Sequence, residues 1–312
     1  MTSLLKTNSH EIIYKNFEDI KVSTKTFIVM TNLIIDLKKL FEFLPITEYA
    51  VITKKRGRKK KIGHVDVTKT IEDGSIVTMK YESRIKGVDL KQKKSQIKKK
   101  NKWFRNSFTI VIMLDNKPIN FKVCQNGMFQ ITGCKHRGHA EGCIEYIWSH
   151  IKNKEKDIFT YSRGSNLETI YIPVMRNIDF NLGFTVDREK LARYISKQTD
   201  FHALLDTSFG YTGVNIKVPI SHDITSMKLK TISYNDKSNV VGSMTYGEYL
   251  KRLTEKERDK KLNKPRYVSF LIFHSGCCIL SGISSMFMKD IYDNFINIVK
   301  NGREHIEEKL DV

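Results

Sequence analysis

The sequence predicts an α+β protein made of two similar repeats, each an antiparallel sheet backed by helices. The run that follows Gly127, MFQITGCK, resembles the run that follows Gly276, CCILSGIS, and the two glycines are 149 residues apart. Upstream, IIDLKKL around Asp36 resembles TVDREKL around Asp187, at an offset of 151 residues. Two degenerate copies of one unit in a single chain indicate an internal pseudo-twofold symmetry, which suits a nearly symmetric target such as duplex DNA.

The first repeat reads as strand, helix, strands and helix. TKTFIVMTNLI predicts a strand, and Asp36 opens a helix, DLKKLFEFL, that ends before Pro45. The runs SFTIVIML, INFKVCQ and MFQITG are rich in branched and aromatic residues and are separated by DNKP and QNG, which are hairpin signals. In the closing helix, HAEGCIEYIWSHIK, one apolar face is formed by Ile144, Ile147, Trp148 and Ile151.

The second repeat has the same order of elements. ETIYIPVMRNIDFNL predicts a strand, Asp187 opens the helix DREKLARYISKQ, and GVNIKVPI, RYVSFLIFH and CCILSG predict further strands. The last helix, SMFMKDIYDNFINIVK, has an apolar stripe that we expect to pack against the sheet: Met288, Ile291, Phe295 and Ile298.

The domain organisation follows from these repeats. We predict an N-terminal extension over 1–20, a first repeat over 21–160 with a basic insertion at 54–102, and a second repeat over 161–312 with an insertion at 219–264. The first insertion is lysine-dense, with only a brief hairpin-like patch near GSIVTMKYESRI, and like charges favour a mobile segment. The second contains a charged helix, YGEYLKRLTEKERDKKL.

Charge is the strongest compositional signal. The 54 Lys and Arg against 34 Asp and Glu give a net charge of +20 and a pI near 9.6. Clustered basic residues release counterions when they neutralise phosphates, so the balance favours a polyanionic partner. An AT-rich coding genome is the alternative explanation of the lysine content. No apolar run approaches the roughly 18 residues of a membrane span and no signal-peptide layout is present, so we expect a soluble intracellular protein.

The five cysteines form an odd set without a secreted framework, and we expect reduced thiols. One local cluster deserves a metal hypothesis, because Cys134, His136, His139 and Cys143 lie within ten residues and such side chains bind zinc. The second repeat has no counterpart, and we therefore expect no metal. The sequence also lacks a Gly-rich phosphate loop, HExxH, paired CxxC and a nucleophile elbow, so we expect neither an enzyme nor a cofactor.

The strands that follow the two glycine turns carry the candidate binding residues. Because strand side chains alternate, one face of each strand is predicted to hold small apolar, amide and hydroxyl groups. These residues are Met128, Gln130 and Thr132 in the first repeat and Cys277, Ile279 and Ser281 in the second. Such a face suits the floor of a DNA minor groove, which offers acceptors and no bulky groups. An ordinary solvated sheet face is the alternative.

The residues in both repeats resemble the TATA-box-binding protein (TBP) family. VSFLIFHSGCCILSGISSMFMKDIYDNFINIVK, residues 268–300, is similar to the end of the second TBP repeat in its LIFxSG turn, its SG turn and its IYxxF helix, in that order. NGMFQITGCK at 126–135 resembles the family's SGKMVxTGAK, and NLGFTVD at 181–187 resembles NLGxxLD. The match covers both halves apart from the insertions and the first 20 residues or so.

The resemblance implies a saddle-shaped sheet whose concave face lies in a widened minor groove, with two phenylalanines per half that wedge between base steps and kink the duplex. Sequence preference then follows from deformable TA-type steps. By position, Phe273 and Phe108 match two wedges, and Tyr211 replaces a third with another aromatic residue. For the fourth, KVCQNG offers Val123 or Cys124 in a turn one residue shorter than the family's.

Other positions carry over from the same resemblance. Thr132 and Ser281 match groove-facing hydroxyls, and Lys217 stands where a phosphate-binding arginine is expected. Thr24 and Met175 stand where the family has paired asparagines, which is a departure from the pattern of strict TATA readers. In the basic run KKRGRKKK, Arg56 and Arg58 form an RGR element. Such an element is typical of minor-groove contacts, nonspecific phosphate contacts and nuclear-import signals.

From the resemblance we expect a TBP-like transcription initiation factor that binds and bends AT-rich promoter DNA. Its expected partners are double-stranded AT-rich DNA, a TFIIB-like factor and RNA polymerase, with no membrane; a homodimer in the absence of DNA is a further option. The expected location is the nucleus, or a viral factory or virion if the source is a large DNA virus rather than a protist. The alternative is a non-bending scaffold of the same fold that acts through protein partners or nonspecific nucleic-acid contacts. An enzyme with an appended TBP-like domain would need a catalytic domain, for which the two repeats leave no room.

Overall fold

The computed structural model describes residues 12–47, 71–87, 106–205, 213–220, 223–235 and 238–309. In chain order, its strands and helices up to the end of the first repeat are β1 (Val22–Thr31), β2 (Leu33–Ile35), α1 (Leu37–Phe43), β3 (Ile76–Tyr81), β4 (Arg84–Gly87), β5 (Ser107–Leu114), β6 (Lys117–Cys124), β7 (Met128–Cys134), α2 (Arg137–Ile151) and β8 (Phe159–Tyr161). The remaining elements are β9 (Leu167–Asn181), α3 (Arg188–Gln198), β10 (His202–Leu205), β11 (Gly213–Pro219), β12 (Lys228–Tyr234), β13 (Asn239–Thr245), α4 (Tyr246–Lys251), α5 (Glu255–Leu262), β14 (Tyr267–Phe273), β15 (Cys277–Gly282) and α6 (Ser285–Ile306).

These elements form two compact units. The first-repeat unit comprises Thr24–Val174 and Ile224–Thr254. The second-repeat unit comprises Met175–Asp223 and Glu255–Val312, together with the segment that ends at Ser23. The long strand β9 therefore contributes its first part to one unit and its last part to the other.

The two units share one strand order. In the first-repeat unit the antiparallel order is β1-β7-β6-β5-β3, with β4 at the edge, and in the second-repeat unit it is β9-β15-β14-β11-β10. In each unit the long first strand is followed by a helix, α1 or α3, and the last hairpin is followed by another, α2 or α6. The predicted α+β fold with two similar antiparallel repeats is therefore confirmed.

Both first helices begin at the aspartates that the repeat pattern indicated. The carboxylate of Asp36 accepts a hydrogen bond from the Lys39 backbone N–H at 3.0 Å, and that of Asp187 accepts one from Lys190 at 3.0 Å. Each bond satisfies one of the backbone donors left open at a helix start. Helix α1 ends at Phe43, two residues before Pro45, which disfavours helical geometry in the residue before it.

The helices cover one face of each sheet and form the cores there. In α2 the predicted apolar face is buried at Ile144, Ile147 and Ile151, whereas Trp148 is half-buried. In α6, Met288 and Phe295 are fully buried, and the Phe295 ring stacks on Phe270 of β14 with 4.1 Å between centroids. The expectation that these stripes pack against the sheet is confirmed. No helix of the described segments has the length and apolar character that a membrane crossing requires.

The predicted insertions are more closely integrated than the sequence suggested. Residues 71–87, inside the segment predicted as a basic insertion, contain β3, which pairs with β5 and buries Ile76, Val77 and Met79. The predicted hairpin near this patch is present as β3 and β4. Residues 48–70 and 88–105, with their predicted mobility, lie outside the described residues.

The second insertion also joins a sheet. Strand β12 pairs with the first part of β9, from Lys230 opposite Tyr171 to Tyr234 opposite Leu167, and β13 pairs with β12. This hairpin and α4 belong to the first-repeat unit although they lie within the second repeat of the sequence. The predicted single charged helix is two helices, because α4 ends at Lys251 and α5 begins at Glu255.

Candidate nucleic-acid interface

Each sheet has one face covered by helices and one open face. In β14 the side chains alternate, so that Val268, Phe270 and Ile272 are fully buried under the helices. Ser269, Leu271 and Phe273 lie on the open face and are partly exposed. The same alternation places Cys277, Ile279 and Ser281 of β15 on the open face, as the sequence predicted.

A row of polar side chains crosses the open face of the second-repeat unit. In register order, the row consists of His202, Lys217, Ser269, Ser281 and Asn177. Every member offers a hydrogen-bonding group, and none is acidic. The Oδ1 atom of Asn177 is buried without a hydrogen-bond partner among the described residues. The Nζ atom of Lys217 lies 5.9 Å from the centre of the Tyr267 ring. Of the predicted site residues, this row contains Lys217 and Ser281.

A second, more apolar row runs beside the first. Its members, in register order, are Leu204, Asn215, Leu271, Ile279 and Asp179. Leu204 is 62% exposed, and Ile279 is partly exposed. The structure therefore places the predicted residue Ile279 in an accessible apolar strip that ends at a carboxylate.

Phe273 lies at the end of β14, in a turn that several contacts with other parts of the chain hold in place. Gly276 in this turn has φ of +75°, and a Cβ there would lie 2.3 Å from the carbonyl oxygen of Phe184, so glycine is required. The carbonyl of His274 accepts a hydrogen bond from the Val186 N–H at 2.8 Å, and the His274 ring pairs with Glu308. Phe273 is thus a half-exposed aromatic ring on a fixed turn, and its wedge role remains a prediction.

The open face of the first-repeat unit carries different chemistry. On β7, Met128, Gln130 and Thr132 lie on this face, whereas Phe129 and Ile131 are buried against the helices, which agrees with the predicted alternation. A register row across the face contains Ile28, Gln130, Lys122, Thr109 and Lys80. The hydroxyl of Thr132 donates a hydrogen bond to the Asn120 carbonyl at 2.9 Å. The Thr132 hydroxyl therefore donates its hydrogen bond within the sheet.

Phe108 does not lie on the open face, so its predicted wedge position is wrong. The side chain is 1% exposed and meets the rings of Phe41 and Tyr81 edge-on, each at 6.2 Å between centroids. The reason is the register of β5, which turns Phe108 to the helix-covered face together with Ile110 and Ile112.

The structure also separates the two candidates for the fourth wedge position. Val123 is fully buried in the core, whereas Cys124 lies half-buried on the open face at the end of β6. Strands β1, β5, β6 and β7, as far as they are described, present no aromatic side chain on that face. The predicted site residues Tyr211, Arg56 and Arg58 lie outside the described residues.

Of the four residues in the metal hypothesis, Cys134, His136, His139 and Cys143, the two cysteines are not available as metal ligands. Cys134 and Cys143 are fully buried in the apolar core, and burial raises the pKa of the Cys134 thiol to about 11. The two histidines instead face Asp115, whose Oδ2 lies 3.1 Å from Nε2 of His136 and 2.8 Å from Nε2 of His139. Asp115 is not among the residues predicted from the sequence, because the hairpin turn that holds it lies 21 residues before His136.

Comparisons with known proteins agree with the resemblance of the motifs. Over 224 residues, the chain is 26% identical to uncharacterized protein 335L of Invertebrate iridescent virus 6, which covers 69% of this chain and 66% of the relative. Over 188 residues it is 29% identical to a TATA-box-binding protein-like protein of Acanthamoeba polyphaga mimivirus, which covers 54% of this chain and 48% of the relative. The chain thus spans about two thirds of one curated relative and about half of the other.

Two further comparisons concern a solved structure and protein-family models. The solved structure of Methanococcus jannaschii TBP aligns with 90% of this chain and 98% of its own, at 13% identity and a TM-score of 0.44. No protein-family model matches the chain. In the motifs of both repeats and over the segment matched by the mimiviral relative, the chain is similar to a TATA-box-binding protein-like protein of a large DNA virus.

Proposed function

We propose that this protein is a TBP-like transcription initiation factor that binds the minor groove of AT-rich promoter DNA and bends it. The observation that carries the proposal is the open face of the second-repeat unit. There a polar row of hydroxyl, amide and basic groups lies beside an apolar strip, with Phe273 on a fixed turn at the end of the strand. The net charge of +20 and the name of the mimiviral relative support the same proposal.

The groups on this face match the chemistry of a minor groove. At A·T pairs the groove floor offers only acceptors, adenine N3 and thymine O2, which suit hydroxyl donors such as Ser269 and Ser281. Guanine would add an amino group that Leu271 and Ile279 cannot satisfy, which disfavours G·C pairs. Lys217, exposed and second in the row after His202, would neutralise a phosphate.

The two units differ in the wedge that they offer. Phe273 is half-exposed on the second-repeat unit, whereas in the first-repeat unit Phe108 is buried and Cys124 occupies the turn. Unstacking a base step costs about a few kcal/mol, which a wedge side chain has to offset. We therefore propose that bending is uneven, with the stronger kink at the DNA end that meets the second-repeat unit.

The burial of Phe108 also favours a second candidate function, a scaffold of the same fold that binds without bending. A TFIIB-like factor and RNA polymerase are the partners that we propose in either case, and we propose no catalytic role. The two candidates differ in what they do to the shape of a bound duplex, while both allow DNA binding.

Fluorescence resonance energy transfer between the ends of an AT-rich duplex tests the proposal. We expect the wild type to shorten the end-to-end distance and Phe273→Ala to lose most of that change. Phe43→Ala is the control for the loss of an accessible aromatic ring, because Phe43 is exposed on α1, away from the open face. A wild type that binds without changing the distance would establish the scaffold. Equal bending by Phe273→Ala and the wild type would refute the wedge assignment.

A further inference from the structure

The strongest unassigned feature of the molecule is the cluster formed by Asp115, His136 and His139. Their ligand atoms, one carboxylate oxygen and two imidazole nitrogens, all lie within 4.8 Å of one another. The two imidazole rings approach to 4.1 Å between centroids, and both direct Nε2 at the same carboxylate oxygen. We propose that these three side chains bind a divalent transition-metal ion, for which Zn²⁺ is the probe.

The backbone at all three residues belongs to ordered elements that exist before any ion arrives. Asp115 lies in the β5–β6 turn at φ of +50°, and its backbone N–H and that of Asn116 donate to the carboxylate of Asp73 at 3.0 and 3.3 Å. His136 is the N-cap residue of α2, yet its side chain makes no capping bond. His139, in the first turn of α2, is 3% exposed. A site on braced elements loses little conformational entropy on binding.

The donor set decides the class of ion. Two imidazoles and one carboxylate suit Zn²⁺ and its first-row neighbours, whereas Ca²⁺ and Mg²⁺ prefer a shell made only of oxygen ligands. Asp115 and His136 are more than half exposed, so water has access to complete a fourth position. The buried thiols of Cys134 and Cys143, which the sequence placed in the same cluster, are not needed.

Two features oppose tight binding. The Lys135 backbone N–H lies 3.3 Å from Nδ1 of His139, so that ring has its proton on Nε2 in the metal-free state. When a metal ion binds Nε2 of His139, the proton on Nε2 is lost and Nδ1 becomes protonated instead. Nδ1 can then no longer accept the hydrogen bond from the Lys135 N–H. The positive end of the α2 dipole also lies beside the ion. We therefore expect a dissociation constant of about 1–10 μM, weaker than that of structural zinc sites.

The test is Zn²⁺ titration calorimetry on the full chain, without DNA, so its outcome is independent of the proposed function. A Cys124→Ser, Cys277→Ser background removes the two thiols that are not buried. We expect one Zn²⁺ per chain, and at least a tenfold loss of affinity in Asp115→Asn and in His136→Ala. Asn tolerates positive φ, so Asp115→Asn preserves the turn. His150→Ala, on the same helix, should keep the affinity of the background.

Spectroscopy of bound Co²⁺ gives a second readout. Histidine-ligated Co²⁺ of low coordination number has visible absorption bands that hydrated Co²⁺ lacks, and these bands should disappear in His136→Ala. Circular dichroism shows whether each variant is folded. Equal Zn²⁺ affinity in the background, Asp115→Asn and His136→Ala would overturn the proposal, as would the absence of Zn²⁺ binding at about a hundred times the expected dissociation constant.

Discussion

Gly127 provides a sharp test of how the turns at the open faces are built. Its φ is +70°, and a Cβ added there would lie 2.2 Å from the carbonyl oxygen of Leu33 and 2.5 Å from Oγ1 of Thr31. Gly133, in the same β7 region, has φ of +85°, but the nearest atom to its Cβ would be the Pro118 carbonyl oxygen at 4.0 Å. The two glycines therefore share a backbone conformation and differ in the space around them.

We expect Gly127→Ala to cost about 3–4 kcal/mol of unfolding free energy and Gly133→Ala about 1–2 kcal/mol. A left-handed conformation costs an alanine roughly 1–2 kcal/mol at either site. At Gly127 the backbone must also move, which breaks the bonds that its carbonyl accepts from the N–H and hydroxyl of Thr31, at 3.2 and 2.8 Å. Each such bond contributes about 1 kcal/mol. Urea denaturation followed by circular dichroism measures both variants. Equal losses would show that the close approach at Gly127 does not determine the turn.

Three further predictions concern a core ring, a basic side chain on the open face and a helix cap. Phe108→Ala should cost about 3–5 kcal/mol of stability in urea denaturation and leave DNA bending unchanged, because the ring is in the core. Bending lost without a loss of stability would contradict that burial. Lys217→Ala should weaken DNA binding on all sequences and reduce the slope of log K against log salt by about 0.9; an unchanged slope would exclude a phosphate contact. Asp187→Ala should cost about 1 kcal/mol at pH 7. The hydrogen bond from the Lys190 backbone N–H holds the pKa of Asp187 below its ordinary value of 3.8. The stability difference between the wild type and Asp187→Ala is therefore complete above pH 3.8 and decreases as the pH falls through the lowered pKa. A loss that persists at pH 2 would argue against the cap.

The sequence predicted the elements whose local signals are strong. Asp36 and Asp187 begin helices as expected, and alternation correctly placed Gln130, Ile279 and Ser281 on open faces. These predictions depend only on capping chemistry and on a period of two. Neither requires knowledge of a distant part of the chain.

The predictions that failed depend on register or on remote partners. In SFTIVIML both faces of the strand are apolar. Val111 and Met113 form a small buried cluster with Ile71 and Val77, on the side opposite the main core. Alternation therefore did not indicate which face of the sheet Phe108 lies on. A one-residue difference in strand register reverses the face of every side chain.

Partners that are distant in the sequence also explain the strand pairings and the metal-cluster residue that were not predicted. The hairpin of β3 and β4 was predicted, but its place in the sheet was not, because the pairing of β3 with β5 joins residues some 30 positions apart. The pairing of β12 with β9 joins residues some 60 positions apart. Asp115 has no local signal that connects it to His136 and His139, because only the folded hairpin brings it to them.

The β12–β13 hairpin has a consequence for how this protein is made. Ile232 and Tyr234 of that hairpin complete the core of the first-repeat unit, where the Tyr234 hydroxyl lies 3.2 Å from that of Tyr171. A ribosome that has just added Val174 must still synthesise about 70 residues before β13 is complete, which takes roughly 4–14 s at 5–20 residues per second. During that interval the nascent chain presents Leu167–Tyr171 without its hydrogen-bonding neighbour, so an expression fragment that stops at Val174 should be a poor substitute for the intact unit.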